Sequence, residues 1–281
     1  MPIPKRILTS GDVAIKKCKH GLFAYWVNDI YIGKSLDIYG EWTEPELTLL
    51  DNFIFPGSVV VDVGAFIGTH SVFFAQKTGK RGFVFALEPQ RTAFNLLAAN
   101  LALNSLYNVK CFNVAAGEKK GKAFLPVLDP SSPQNFGALS IERYNQGEPI
   151  PIITIDDLDL HSCNLMKIDV EGYEAKVLKG AKKTINKFRP ILYVENNREE
   201  TSRATIETLL DLGYDCWWHF LEYYNPDNFF KNKKNVFEKA QLETNMVCFS
   251  KERKAKVKGT IKVSGPSDNW QKALERLQLS Q

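Results

Sequence analysis

The sequence lacks the features that mark several classes of protein. Its five cysteines lie far apart and form no CxxC or Cys/His ligand pairing, which gives no support to a disulfide framework or a zinc site and favours a reducing compartment. No apolar run approaches the length of a membrane span, and the first residues precede no apolar core of the kind found in signal peptides. The sequence therefore predicts a soluble, cytoplasmic protein with no membrane span.

An excess of charge of one sign is also missing. The net charge of +4 is too small to indicate a nucleic-acid partner, and much of it lies in residues 251–258. We expect these residues to belong to a solvated basic tail over 251–281. The 281 residues, of which 44% are hydrophobic, are enough to bury a full-sized core.

The most informative feature is an apolar strand followed by a glycine turn. Residues 59–63 read Val-Val-Val-Asp-Val, and Gly64 and Gly68 then form a GxxxG turn before a helix that begins near Thr69. Branched apolar residues around Asp62 are typical of a parallel strand covered on both faces. The glycines let the backbone turn tightly and approach a ligand, whose anionic group would face free N–H groups at the helix start.

The same turn lacks a glycine that dinucleotide binding requires. Phe66 stands where the second glycine of GxGxxG would be, and a pyrophosphate needs the close approach that this glycine allows. A smaller ligand with a carboxylate and an amine does not need it. S-adenosylmethionine is such a ligand, and Asp62 or nearby carbonyl groups would face its ammonium. The alternative at this point is a tight βα turn that binds no ligand.

A second apolar strand also ends in an acidic residue. Residues 82–88 end in Glu88, and Pro89 and a helix over 90–104 follow. Glu88 comes one βα unit after Asp62, the separation expected of a carboxylate that binds ribose hydroxyls. Two acidic strand ends, one followed by GxxxG, favour a nucleotide-type cofactor over two solvated side chains.

The remaining pattern indicates how the sheet is completed. Strands are predicted over 109–115, 165–170 and 191–196, with a helix between the last two, whereas strands over 214–219 and 245–250 have no helix between them. Such a pair closes a sheet by antiparallel pairing. We therefore predict an α/β fold of the class I methyltransferase (Rossmann-like) type. Its sheet would be seven-stranded and mostly parallel, with an antiparallel last strand and helices on both faces.

The first 55 residues are interpreted as a cap. Apolar and polar residues alternate in 21–36, which predicts a hairpin around Asn28 and Asp29. Thr43 and Glu46 form a predicted capping box at the start of a helix. We divide the chain into an N-terminal hairpin and cap helix (1–55), a cofactor-binding methyltransferase domain (56–250) and a basic C-terminal tail (251–281). The loop over 128–149 is expected to close over the site.

Three segments together resemble the FkbM family of methyltransferases. They are residues 61–71, the run 87–89 (Leu-Glu-Pro) and the run 166–174 (Met-Lys-Ile-Asp-Val-Glu-Gly-Tyr-Glu), of which the third is the most specific. The resemblance covers about residues 56–250 and implies S-adenosylmethionine as cofactor and O-methylation, often of sugar or polyketide hydroxyls. Phe66 departs from the family, which usually carries asparagine there. Its ring could lie near the sulfonium or the adenine.

The resemblance and the strand-end rule define the predicted site. The predicted cofactor-binding residues are Asp62, Gly64, Phe66, Gly68, Thr69, Glu88, Pro89, Asn113, Ala115 and Asp169. Asn113 and Ala115 are assigned to the adenine by fold analogy alone. An alcohol acceptor must lose its proton, so the predicted catalytic residues are Asp169, Glu171 and Glu195, with His219 as a further candidate base. Glu171 could instead bind a metal or favour a helix dipole, but no further ligand is evident and no metal is predicted.

The predicted function is that of a methyltransferase acting on a hydroxyl of a sugar, glycan or glycosylated metabolite. The alternatives are N-methylation, including that of RNA, and a non-catalytic cofactor-binding or scaffold module. Asp169 is followed by Val-Glu-Gly and not by the Pro-Pro-aromatic sequence common in amino-group methyltransferases, which favours oxygen. No nucleic-acid partner is predicted, and the oligomeric state stays open. The aromatic residues of 217–224 fit either sugar stacking or core packing.

Overall fold

The chain begins with a small antiparallel sheet and two helices, in a computed structural model that describes residues 3–237, 242–255 and 257–278. These elements are β1 (Leu8–Ser10), β2 (Val13–Cys18), β3 (Gly21–Trp26), α1 (Ile32–Ile38) and α2 (Glu44–Asp51). The hairpin turn lies at Lys19 and His20, between β2 and β3, so the hairpin predicted around Asn28 and Asp29 is wrong. The Asp29 carboxylate instead accepts hydrogen bonds from two backbone N–H groups at the start of α1.

Helix α2 begins where it is predicted, but without the predicted capping box. Thr43 has a φ of 43°, and its buried Oγ1 has no hydrogen-bond partner among the described residues. The Glu46 carboxylate lies 2.9 Å from Nε2 of His70, and Glu44 pairs with His20. The acidic side chains of this first turn therefore contact neighbouring segments and leave the helix N-terminus uncapped by side chains.

Residues 59–153 form one half of the main sheet and a small side sheet. The elements are β4 (Val59–Val63), α3 (Thr69–Thr78), β5 (Phe83–Leu87), α4 (Arg91–Leu103), β6 (Val109–Phe112), β7 (Ala115–Ala116), β8 (Gly121–Leu125) and β9 (Glu148–Ile153). Strands β7, β8 and β9 pair in a separate three-stranded sheet. The third predicted strand thus divides after Phe112, and its last residues turn into this side sheet.

Residues 165–278 form the other half of the main sheet. The elements are β10 (Leu165–Ile168), α5 (Glu174–Gly180), α6 (Lys182–Phe188), β11 (Ile191–Glu195), α7 (Glu199–Asp211), β12 (Tyr214–Glu222), β13 (Leu242–Ser250), β14 (Ile261–Lys262) and α8 (Trp270–Gln278). Single 3-10 turns lie at Gly79–Arg81, Ile155–Leu158 and Lys251–Arg253.

The main sheet has eight strands in the order β14-β12-β13-β11-β10-β4-β5-β6. The pairs from β11 to β6 are parallel, and β13 is antiparallel to both β11 and β12. This arrangement confirms the predicted class I methyltransferase fold and its antiparallel closing pair. The short strand β14 adds an eighth strand that the sequence pattern does not indicate.

Helices cover both faces of the sheet. One face buries Val60 and Tyr193 against α2 and α3, and the other buries Val61 and Met166 against α5, α6 and α7. Alternate residues of a strand point to opposite faces, and all five residues of β4 are buried. The prediction that this strand is covered on both sides is confirmed. Each fully buried aliphatic side chain contributes about 1.5–3 kcal/mol to stability.

The C-terminal segment packs against the main sheet. Ala273 of α8 is fully buried, and Trp218 of β12 donates a hydrogen bond from Nε1 to Oδ2 of Asp268 at 3.2 Å. Arg276 of α8 forms an ion pair with the same carboxylate at 2.7 Å. Much of the predicted tail therefore has fixed contacts with the fold.

Length and hydropathy also bear on membrane insertion. In the three described stretches of the chain, no helix combines the length and the apolar character that crossing a bilayer requires.

Candidate active site

A cavity of about 650 Å³ lies at the C-terminal ends of β4, β5, β10 and β11. Open α/β sheets bind their ligands at this edge, and ligand pockets have volumes of about 300–1,000 Å³. Asn135, Leu139 and Ile141 of the predicted closing loop line the cavity. The cavity is therefore the candidate site, and the loop forms part of its wall.

One wall of the cavity, here called the glycine wall, consists of Gly64, Phe66, Glu88, Pro89 and Ala115. Gly64 has a φ of 82°, and a Cβ at this position would lie 1.7 Å from the carbonyl oxygen of Asp169. Only glycine lets the ends of β4 and β10 meet so closely. Phe66 has a φ of 47°, in the left-handed region that asparagine adopts more readily than a bulky residue, which gives a reason for asparagine in the family that the sequence resembles.

The backbone N–H groups of the turn are used within the protein. Those of Gly64 and Ala65 donate to the carbonyl oxygen of Leu87 at 2.9 and 3.0 Å. The N–H of Phe66 donates to Oε2 of Glu88 at 2.7 Å. The turn therefore approaches the cavity without offering these three N–H groups to a ligand.

Glu88 presents its carboxylate to the cavity from a buried position. Its side chain is 3% exposed, and its Oε1 accepts a hydrogen bond from the N–H of Gln90 at 2.8 Å. Burial, with a further contribution from two neighbouring aspartates, raises the pKa of Glu88 to about 7. A carboxylate oxygen has two lone pairs, so Glu88 can still accept hydrogen bonds from ligand hydroxyls.

Several predicted cofactor residues do not line the cavity. They are Asp62, Gly68, Thr69 and Asn113. Asp62 is fully buried, and its Oδ2 accepts a hydrogen bond from Oγ of Ser71 at 2.6 Å. Asn113 donates from Nδ2 to the carbonyl oxygens of Glu88 and Pro89 at 2.9 and 3.0 Å. These contacts support the glycine wall from behind.

An adjoining wall, here called the acidic wall, brings the three predicted catalytic residues together. Asp169, Glu171 and Glu195 each place a carboxylate oxygen within 4.8 Å of the others. Lys167 donates a hydrogen bond from Nζ to Oδ2 of Asp169 at 2.9 Å, and Arg198 forms an ion pair with Glu171. The residues meet because β10 and β11 are parallel neighbours whose C-terminal ends share one edge.

The acidic wall contains carboxyl groups in different electrostatic settings. Burial by itself would raise the pKa of Asp169, but the charge and the hydrogen bond of Lys167 outweigh it and lower the pKa. Burial, and then the charge of Asp169, raise the pKa of Glu195 well above its usual range. Oε1 of Glu195 accepts a hydrogen bond from Nδ2 of Asn197 at 2.6 Å, while its buried Oε2 has no partner among the described residues.

A buried glutamate orients the turn that carries Glu171. Oε1 of Glu174 accepts hydrogen bonds from the N–H groups of Val170 and Gly172 at 3.2 and 2.9 Å. Glu171 lies between these two residues with a φ of 59°, and its side chain reaches the cavity. The Val-Glu-Gly-Tyr-Glu sequence thus forms a self-capped turn that points one carboxylate inwards.

A third wall includes Tyr223, from the aromatic run 217–224 for which the sequence left sugar stacking and core packing open. The aromatic wall consists of Tyr31, Trp42 and Tyr223, and the ring centroid of Tyr223 lies 5.5 Å from that of Tyr31 and 5.1 Å from that of Trp42. Sequence periodicity does not reveal such contacts, because the three residues belong to different segments. The sequence offered two signals: Tyr223 in the aromatic run 217–224, and Trp42 in the run 39–42 (Tyr-Gly-Glu-Trp), which resembles the family's entry segment before the nucleotide domain.

A buried carboxylate ties the cap to the segment that carries Tyr223. Oε1 of Glu41 accepts a hydrogen bond from Nδ2 of Asn225, and Oε2 accepts one from the N–H of Phe229, both at 2.7 Å. Glu41 is 4% exposed and lies next to Trp42. The cap and the segment after β12 are therefore held together beside the cavity.

The other candidates from the aromatic run 217–224 pack in the core or lie away from the cavity. Trp217 and Trp218 are buried in the cores on the two faces of the sheet. His219 places Nδ1 2.9 Å from the hydroxyl of Tyr193 and is not among the residues that line the cavity. The structure therefore does not bring His219 to the acidic wall.

The strand order, the glycine turn after β4 and the acidic end of β5 define the architecture of a class I methyltransferase. Residues 62–216 match the family described as Methyltransferase FkbM domain. This match covers more than half of the chain. The protein belongs to the FkbM family of methyltransferases, and family membership implies the use of S-adenosylmethionine.

Similar proteins include one curated relative and several solved structures. Methyltransferase sdnD of Sordaria araneosa is 27% identical over 212 residues, which cover 60% of this chain and 78% of that protein. Methyltransferase FkbM from Methylobacillus flagellatus KT has 18% identity and a TM-score of 0.46, covering 70% of this chain and 44% of that one. TYW2 of M. jannaschii, solved in complex with AdoMet, has 18% identity and a TM-score of 0.47, covering 87% and 88% of the two chains. The chain thus spans less than half the length of the solved FkbM protein.

Proposed function

We propose that this FkbM methyltransferase transfers the methyl group of S-adenosylmethionine to a hydroxyl of a sugar, a glycan or a glycosylated metabolite. The observation that carries the proposal is the cavity itself. It has Glu88 and the glycine turn on one wall and the carboxylates of Asp169 and Glu195 on the adjoining wall. A cofactor held by the first wall would present its reactive end to the second.

The glycine wall fits the ribose of the cofactor. Glu88 retains acceptor capacity after its two backbone hydrogen bonds, and we assign the ribose hydroxyls to it. Ala115 borders the adenine in this proposal, and Gly64 lies next to the methionine end. When bound, S-adenosylmethionine supplies an electrophilic methyl carbon, and alignment of that carbon with the acceptor oxygen can contribute roughly 7–11 kcal/mol.

The acidic wall fits the removal of the acceptor proton. As the new carbon–oxygen bond forms, the proton of the hydroxyl passes to a carboxylate, and the bond between methyl and sulfur breaks. We assign the base to the cluster of Asp169, Glu171 and Glu195, with Lys167 and Arg198 holding two of the carboxylates in place. A positioned base adds about 10²–10⁴-fold to the rate.

The charge and shape of the cavity support a neutral, hydroxyl-bearing acceptor. The lining includes the carboxyl groups of Glu88, Glu171, Glu195 and Glu243 but, among cationic side chains, only Arg198 in the described part of the chain. Phosphates of a nucleic acid bind through basic groups, so this lining disfavours RNA. The aromatic wall offers ring faces against which a sugar can pack.

The division into a cap and a methyltransferase domain belongs to the same proposal. Residues 1–55 supply Tyr31 and Trp42 to the aromatic wall, so we assign acceptor selection to the cap and cofactor binding to residues 56–250. The five cysteines are free thiols, which supports a reducing, cytoplasmic setting as part of the proposal.

The first test is a calorimetric titration of the full chain with S-adenosylmethionine and, separately, with NAD. We expect micromolar binding of S-adenosylmethionine alone, and loss of that binding in Glu88→Ala. Single-turnover assays with a panel of hydroxylated and aminated acceptors then follow the methylated product by mass spectrometry. Transfer only to amines would refute the hydroxyl assignment, and binding without any transfer would favour a non-catalytic module.

A further inference from the structure

The acidic wall holds more carboxylates than paired cations. Lys167 pairs with Asp169 and Arg198 with Glu171. Glu195 has no ion-pair partner within the described stretches of the chain, although it is only 5% exposed. Like charges at this separation repel one another strongly in a poorly hydrated site. A proton on one of the carboxyl groups or a bound cation would relieve this repulsion.

Glu195 also has an oxygen with no hydrogen-bond partner. Asn197 donates to Oε1, whereas the buried Oε2 receives no hydrogen bond from any described group, and the residue lines the cavity. Buried polar atoms in folded proteins nearly always have a partner, and an exception calls for a ligand or an ion. This observation is independent of the proximity of the three acidic residues.

The spacing of the carboxylates suits a hard divalent cation. Oxygen ligands surround Mg²⁺ at about 2.0–2.1 Å and Ca²⁺ at about 2.3–2.6 Å, so ligands on opposite sides of the ion are about 4–5 Å apart. The oxygens of Asp169, Glu171 and Glu195 lie within 4.8 Å of one another. The ion pairs with Lys167 and Arg198 use one oxygen of each carboxylate and leave the other oxygen for a ligand bond.

We propose that Asp169, Glu171 and Glu195 bind a divalent cation of the Mg²⁺ type at the acidic wall. Asp169 and Glu171 are two residues apart in the sequence, and Glu195 completes the set only because β10 and β11 are adjacent. The role of the ion rests on the proposed function: it holds the acceptor hydroxyl beside the cofactor methyl and lowers the pKa of that hydroxyl.

The test uses Mn²⁺ as a paramagnetic probe with the full chain. Electron paramagnetic resonance follows the signal of free Mn²⁺ as protein is added, and competition by Mg²⁺ and Ca²⁺ ranks the ions. We expect one bound ion per chain and at least a tenfold loss of affinity in Glu195→Gln and in Glu171→Gln. The second variant covers the case in which the first fails to fold. Glu243→Gln, which changes a different carboxyl group of the same cavity, is the matched control and should retain affinity within about twofold.

Several outcomes would overturn the site. Absence of Mn²⁺ binding at millimolar concentration would do so, as would undiminished Mn²⁺ affinity in both test variants. An equal loss of affinity in Glu243→Gln would also do so, because it would indicate diffuse attraction of cations to an acidic cavity. Calorimetry with S-adenosylmethionine in the presence of EDTA separates this proposal from the proposed function. Cofactor binding without ion binding refutes the cation site alone, whereas ion binding without cofactor binding refutes the proposed function and leaves the cation site standing.

Discussion

The glycine wall and the aromatic wall of the cavity are built in different ways. The glycine wall comes from the ends of neighbouring strands, where Gly64 and Glu88 follow β4 and β5, and backbone hydrogen bonds fix its geometry. The aromatic wall joins Tyr31, Trp42 and Tyr223, which lie in separate segments and meet through ring contacts, while side-chain hydrogen bonds to Glu41 hold the segments together. The first wall follows from strand order, whereas the second depends on how the cap sits on the sheet.

This difference assigns different tasks to the two walls. A wall set by backbone turns leaves little room for substitution and suits a cofactor that all family members share. A wall of side chains from a cap can change without disturbing the sheet, because loops and caps tolerate variation. We therefore expect substitutions in the glycine wall to affect folding and cofactor binding, and substitutions in the aromatic wall to affect the acceptor alone.

The largest effect is expected for Gly64→Ala. The new Cβ would lie 1.7 Å from the carbonyl oxygen of Asp169, and the alanine would have to adopt a left-handed backbone conformation. Overpacking and backbone strain together should therefore lower the unfolding free energy by about 4 kcal/mol. Gly57→Ala is the matched control, because Gly57 has a φ of 96° and open space around its Cβ position; it should cost about 1 kcal/mol. Urea denaturation measures both, and equal losses would contradict the close-approach argument.

The pH dependence of stability comes next. The folded pKa of Glu88 is about 7 against an ordinary value of 4.5, so the folded state binds this proton more tightly than the unfolded state does. Stability from this group is therefore fully present below pH 4.5 and falls as the pH rises to about 7, by up to about 3 kcal/mol. Between pH 4.5 and about 7, the unfolding free energy should therefore fall less steeply with rising pH in Glu88→Gln than in the wild-type protein. Parallel slopes would show that Glu88 titrates normally.

Glu88→Gln should also weaken cofactor binding. A hydrogen bond to a charged group contributes about 1.5–3 kcal/mol, so the Kd for S-adenosylmethionine should rise about 10–100-fold in calorimetry at pH 8, where the wild-type carboxylate is ionised. Glu148→Gln changes a carboxylate that pairs with Arg91 outside the cavity and should leave the Kd unchanged. A similar Kd for both variants and the wild type would remove Glu88 from the site.

The smallest effect tests the aromatic wall. Tyr223→Ala removes a ring that packs beside Tyr31 and Trp42, so the KM for the acceptor should rise about tenfold while the Kd for S-adenosylmethionine stays within twofold. Tyr107→Ala, at a residue that is 85% exposed, is the control and should change neither constant. A parallel rise in the cofactor Kd would show that the two walls are not independent.

Local patterns predicted the secondary structure of the main sheet well and the contacts of the cap poorly. The apolar run around Asp62 is a buried strand, because five consecutive residues with this composition satisfy both faces of a parallel sheet. The hairpin around Asn28 and Asp29 is wrong, because the turn lies at Lys19 and His20 and Asp29 instead accepts hydrogen bonds at the start of α1; an Asn-Asp pair serves either purpose. The capping box at Thr43 is wrong because Glu46 contacts His70 instead.

The sequence by itself determined the α/β fold, the glycine turn and the row of acidic strand ends, because these depend on periodicity and on the shared edge of parallel strands. Only the tertiary structure decided which polar groups form hydrogen bonds inside the protein and which segments meet at the cavity. The N–H groups of the turn are bonded to neighbouring strand ends, Oε2 of Glu195 has no partner among the described residues, and the cap brings Trp42 beside Tyr223. Each of these depends on distances between residues far apart in the chain, which no local pattern encodes.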